Sequence, residues 1–221
     1  MTLADLITRC RIESGDDKEP YFISDEAYVG WLNDALIEAC IRGRLLYERD
    51  DFQLVYLDFP VDTDTVSLPE KWIEIDSAGI VIHGHHVLQL PILSPEEVRS
   101  KYPKDYQSYD SMPVCVVMND TKLSIFPASS KPLTLKVSGY RLADILSDMK
   151  DVPEIHELHH RHLVDYALYH AFSVPDAEFF DENRAMISKK AFDDYFGLPK
   201  DSDFRRLSRE DVPHVNDAFW V

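Results

Sequence analysis

His156, Glu157 and His160 spell His-Glu-x-x-His, a spacing that on a helix sets two imidazoles one turn apart with a carboxylate between them. Such a set binds zinc and supplies a general base, the equipment of a zinc-dependent hydrolase. A third ligand is also needed, and Glu178 and Glu182 stand downstream at a separation that some zinc peptidases use. Two features weigh against that chemistry. The triplet falls in the first turn after Pro153, and Glu154 and Arg161 flank it with charge where a catalytic zinc helix runs through an apolar core. In a chain with nine histidines the letters also arise by chance. The expected reading is therefore surface or interface histidines, with no catalytic residue, no metal ligand and no cofactor.

The other reactive residue types give no stronger signal. His83, His85 and His86 cluster around Gly84 in an expected β-turn, where neighbouring histidines are more often exposed than liganding. Cys10, Cys40 and Cys115 have no zinc-knuckle or redox spacing. Cys10 and Cys40 fall on apolar helix faces and read as buried, reduced thiols. Nucleophile-elbow, phosphate-loop and dinucleotide-binding patterns are all missing, and seven glycines leave few places for a backbone cradle. The acids are too many for a glycosidase pair to stand out.

Composition narrows the class further. The 221 residues are 45% hydrophobic and 29% charged, as in a globular protein, and no apolar run is long enough to span a bilayer. The N-terminus has no signal-peptide pattern, so the chain is expected to be cytosolic where it is made. A formal net charge of −17 argues against clamping nucleic acid through its phosphates. It is compatible with a passage that DNA must cross without sticking, because a negative wall repels phosphates.

The elements that would position these residues follow from periodicity. Thr2 and Asp5 make a capping-box start for a helix over residues 2–14, with Leu3, Leu6, Ile7 and Cys10 as its stripe and Gly15 as its stop. Tyr21 and Phe22 are expected to fold back on the core. Ser24 caps a second helix in which Tyr28, Trp31, Leu32, Ala35, Leu36, Ala39 and Cys40 keep the helical rhythm. From residue 50 to 140 the period changes. Short β-rich runs recur at 65–68, 72–75, 79–82, 87–90, 113–118, 122–126 and 133–140, and Phe52, Leu54 and Tyr56 alternate before them. One helix, started by Ser94, Pro95 and Glu97, interrupts them. Helical signals return over 153–172, with Leu163, Val164, Ala167, Leu168, Ala171 and Phe172 as buried positions. In a last helix capped by Asp176 and stopped by Gly197 and Pro199, Phe179 with Met186, and Phe180 with Ile187, are each seven apart along a stripe expected to be buried.

The expected fold is α+β. Residues 1–49 and 144–198 form a four-helix core, 50–143 form an inserted antiparallel β-domain (sandwich or open barrel), and 199–221 form an extended C-terminal arm. In that arm Phe219 and Trp220 are costly to leave in water, so they are expected to be buried against their own domain or a neighbouring subunit.

This layout resembles the head-to-tail adaptor (connector) proteins of tailed bacteriophages, especially short-tailed ones. The resemblance rests on the Leu-Ala-Asp-Leu-Ile helix at 3–7, on Trp31-Leu32-Asn33-Asp34-Ala35, and on a β insertion containing Met112-Pro113 and Leu123-Ser124-Ile125-Phe126-Pro127. It ends with Val152-Pro153-Glu154-Ile155-His156 opening the helix that carries Leu163-Val164-Asp165-Tyr166-Ala167-Leu168. What the resemblance implies is a structural virion protein, not an enzyme. It implies a dodecameric ring beneath the portal protein, gripping tail nozzle or tail fibre proteins below, with double-stranded DNA passing through the lumen unbound. The arm residues Arg205, Arg206, Arg209, Phe219 and Trp220 are the expected docking anchors toward the portal or a neighbour.

Overall fold

A computed structural model describes residues 1–82, 86–102, 112–175 and 180–199 of the chain. By internal contacts it divides into two units. One comprises Met1–Gly43, Leu146–Val152 and the described residues from His156 onward, and the other comprises Arg44–Ile145 with Pro153–Ile155.

The first unit contains helices α1 (Leu3–Ser14), α2 (Asp25–Gly43), α5 (Glu157–Ser173) and α6 (Glu182–Phe196). Thr2 and Asp5 close a reciprocal capping box at the start of α1, and Gly15 ends it in the left-handed region at φ 90°. At α2 the Ser24 hydroxyl accepts the Ala27 N–H, and Tyr28, Leu32, Ala35, Leu36, Ala39 and Cys40 are buried. Trp31 is half-buried and stacks on His170 at 6.2 Å between ring centres. Helix α5 packs against α1, α2 and α6, burying Leu163, Val164, Ala167, Leu168, Ala171 and Phe172. Tyr21 and Phe22 stay exposed at 45% and 63%, contrary to expectation, because the loop is held by its backbone instead. The buried Asp16 carboxylate accepts the Phe22 and Ile23 N–H groups, and the Tyr21 ring lies outside, beneath the Arg11 guanidinium at 3.7 Å.

The sequence places the start of the third helix of this unit too early. Helix α5 begins at Glu157, not at Pro153. Tertiary contacts decide this: the Glu154 carboxylate accepts from Arg141 and from the Asp144 N–H, and Ile155 is buried, which holds residues 153–155 with the second unit.

The second unit holds β1 (Tyr47–Glu48), a single helical turn α3 (Phe52–Val55), β2 (Tyr56–Phe59), β3 (Thr65–Ser67), β4 (Trp72–Ile82), β5 (His86–Leu90), β6 (Ile92–Leu93), helix α4 (Pro95–Lys101), β7 (Cys115–Met118), β8 (Lys122–Phe126) and β9 (Leu133–Arg141). One sheet runs β1-β9-β4-β5, with β2 also paired to β9, and the other runs β3-β8-β7-β6. Among the described residues no closed barrel forms. Inward side chains of both sheets, including Phe59, Ile75, Ile80, Leu135 and Val137 from one and Val116, Leu123 and Ile125 from the other, share one apolar cluster.

Three details depart from the sequence reading. The runs at 72–75 and 79–82 are one strand, bent by register shifts between Trp72 and Glu74 and between Ile75 and Ser77. The Phe52-Leu54-Tyr56 alternation is interrupted by α3, because the Asp51 carboxylate caps a turn by accepting the Gln53 N–H. The sheets are also not wholly antiparallel, since β6 pairs parallel with β7 across the α4 crossover.

A salt-bridged hub ties both ends of this unit's sequence. Arg141 donates to Glu48 at 3.0 Å and to Glu154 at 2.8 Å. Glu48 also accepts the N–H groups of Asp50, Asp51 and Arg49, and these bonds hold its carboxyl down at about 2.

Candidate functional site

The His-Glu-x-x-His residues are engaged by local partners. His156 precedes the helix as its N-cap, with Nδ1 accepting the Leu158 N–H at 3.2 Å. The Glu157 carboxylate lies 3.7 Å from the Met1 amino group, with its side chain 80% exposed. His160 is only 2% exposed, and its Nδ1 lies 3.2 Å from the Met1 amino nitrogen. Of the further ligand candidates, Glu182 is exposed in the first turn of α6, and Glu178 lies outside the described residues. Among the described residues no group of three or more His, Cys, Asp or Glu side chains is placed to hold a metal ion.

The expectation of surface histidines fails for His160. It belongs to the row His160, Leu163, Val164, Ala167, so the buried stripe of α5 runs one turn nearer the N-terminus than its aliphatic residues suggest. The neighbouring histidines join α5 to α6. His162 stacks on Tyr195 at 3.6 Å, and its Nδ1 pairs with Asp165, while His159 Nδ1 meets the Tyr195 hydroxyl at 3.0 Å.

Two of these imidazoles are held below the ordinary histidine range, His159 by burial and by neighbouring histidines, and His170 by burial against the nearby Asp34 charge, which acts the other way. Among the described residues His170 Nε2 is buried with no hydrogen-bond partner. The unfolded chain therefore binds more protons than the folded one once the pH drops below the ordinary value of 6.5. Stability of the helical unit should be greatest above that pH and decline as the pH falls. Urea midpoints at pH 7.5 and 5.5 check the sign, and a His170→Phe variant should flatten the dependence.

Helix α6 is rotated from its expected setting. Asp181 caps it, with its carboxylate accepting the Arg184 N–H, and Ala185, Phe192 and Phe196 are buried. Phe180, Met186 and Ile187 are left exposed at 53%, 60% and 69%, where the sequence reading placed them inward. The expected cap Asp176 and Phe179 lie outside the described residues. Arg42 fixes the far end of α6: it bonds Asp193 at 2.6 Å, Glu38 and the Gly197 carbonyl, and lies over the Phe192 ring. The exposed side of α6 and Leu198 bound a groove of 460 Å³. Sequence reasoning takes Arg42 only as a cation suited to the C-terminal end of α2, and misses both its bonds to α6 and this groove.

In the β unit a cavity of 820 Å³ opens among Phe59, Ile80, Ile82, Met112 and Pro132. His86 starts β5 and is exposed, whereas His83 and His85 lie outside the described residues. Cys10, Cys40 and Cys115 are buried, and burial pushes the Cys10 thiol up to about 12, so it is a poor nucleophile. The arm anchors Arg205, Arg206, Arg209, Phe219 and Trp220 lie outside the described residues. Among the described residues no helix is long and apolar enough to cross a membrane.

The described surface thus carries an apolar groove on α6, an apolar cavity in the β unit, and histidines engaged in packing and capping. A family model described as SU10 adaptor protein matches residues 1–214. No curated protein matches the chain.

Proposed function

Because the chain belongs to the SU10 adaptor protein family, a family of phage head-to-tail adaptors, we propose that it forms the ring that joins the portal to the tail. The ring is dodecameric and extends the channel through which the genome leaves. The observation that carries this reading is the family match across residues 1–214, which takes in both units and most of the arm. Charge supports it: at −17, subunits surrounding a DNA path repel phosphates and keep friction low.

In this arrangement the helical unit builds the ring, and the β unit, with its apolar cavity, meets tail nozzle or fibre proteins. The arm carries Arg205, Arg206, Arg209, Phe219 and Trp220 to the portal, since arginine and aromatic side chains are the anchors that interface cores favour. The protein resides in the virion, at the head-to-tail interface.

Native mass spectrometry of the purified chain mixed with portal rings tests the proposal. The expected result is one portal ring carrying twelve copies of the chain. A chain that stays monomeric beside an unmodified portal ring would overturn it.

A further inference from the structure

Met186, Ile187 and Leu198 expose 60%, 69% and 73% of their surface along one side of α6, and with Lys190 and Asp194 they line the 460 Å³ groove. Met186, Ile187 and Lys190 recur at helical spacing, so this is a continuous face with apolar side chains and a rim of Lys189, Lys190 and Asp194. Asp193, also on the rim, is already neutralised by Arg42. An apolar face of this kind marks an interaction site.

The sequence says what fits it. Leu198 is itself part of the rim, and the chain continues from it into a segment, residues 210–220, that carries Glu210, Asp211 and Asp217 but no lysine or arginine. The same segment holds Val212, Val215, Phe219 and Trp220. Its charge is opposite to that of Lys189 and Lys190, and its apolar residues suit the groove floor. About 20 residues separate Leu198 from Phe219, enough to reach roughly 70 Å when extended, so a return to α6 meets no geometric barrier. Tethering also gives the segment a local concentration in the millimolar range, well above that of a second copy in dilute solution.

We infer that the α6 groove is the docking site for this chain's own segment 212–220, with Phe219 and Trp220 against Met186, Ile187 and Leu198 and with Asp217 facing Lys190. The free subunit thereby shields the same aromatic residues that the arm would present to a partner. That consequence for assembly rests on the adaptor reading, whereas the docking itself does not.

The test uses the full chain carrying Ile187→Cys and Phe219→Cys, oxidised in a glutathione buffer and separated without reductant. The three native cysteines are buried and do not compete. A disulfide forms only when the two Cα atoms come within about 7 Å. The expected product is an intrachain bridge, identified by peptide mass, at about ten-fold higher yield than in a control pairing Phe219→Cys with Thr8→Cys on the exposed side of α1. Equal yields for the two pairs would overturn the inference. A predominantly interchain bridge would overturn it as well, by assigning the groove to the segment of a second copy. Both readings come from the isolated subunit, so they stand or fall separately from attachment to the portal.

Discussion

Arg11→Ala should lower the stability of the helical unit by about 3–5 kcal/mol, the cost of leaving a buried charge without its partner. Arg11 is 8% exposed and donates to Asp16 at 2.9 Å, to Asp25 at 2.6 Å and to the Ile23 carbonyl at 3.0 Å. Its guanidinium also covers the Tyr21 ring at 3.7 Å and lies 5.3 Å from the Tyr28 ring. Asp16 is fully buried and accepts two backbone N–H groups from the loop that leads into α2. Removing the cation leaves that carboxylate desolvated, and relieving it requires the loop to open. Urea denaturation followed by circular dichroism measures the loss. A change below about 1 kcal/mol would mean that the cluster behaves as an exposed surface pair.

Deleting residues 206–221 should abolish attachment to the portal while leaving the fold intact. Among the described residues the buried side chains all lie before residue 200, and the described elements end at α6 and its Gly197 stop, so the deletion removes no described packing. What it removes is Phe219 and Trp220, the anchors proposed above, together with Arg206 and Arg209. Two fully desolvated aromatic anchors carry about 2 kcal/mol or more apiece at an interface, so their joint loss weakens binding by about a thousand-fold. Co-sedimentation with portal rings measures this, with circular dichroism as the control for folding. Undiminished co-sedimentation would remove the arm from the interface.

Capping chemistry was the most legible part of the chain. Thr2 with Asp5, Ser24, and Ser94 with Glu97 each announce a helix start through groups close in sequence, and each is found in place. The start of α5 was misplaced because a distant partner sets it: Arg141 holds Glu154 out of the helix. Helix α6 is capped locally by Asp181, which the sequence reading passed over for Asp176, a residue outside the described ones. The β6–β7 pairing was illegible for a similar reason: two residues, Ile92 and Leu93, are too few to show a period, and their partner strand lies beyond α4.

The candidate site divides along the same line. The His-Glu-x-x-His spacing is local and easily seen, but whether its imidazoles converge depends on where the helix begins. Starting α5 at Glu157 turns His156 into a cap and leaves His160 in the buried row. The exposure of Met186 and Ile187 was hidden because two apolar residues at helical spacing look the same whether they face a core or a partner. The buried positions Phe192 and Phe196 carry the distinguishing signal, since a single helix of this length does not bury both rows.

Imaging the head-to-tail junction of intact virions by electron cryomicroscopy tests the adaptor assignment most directly. The expected result is twelve copies of the chain directly beneath the portal, surrounding the DNA channel, with the arm reaching the portal. Density for another protein at that position, with this chain absent from the junction, would contradict it.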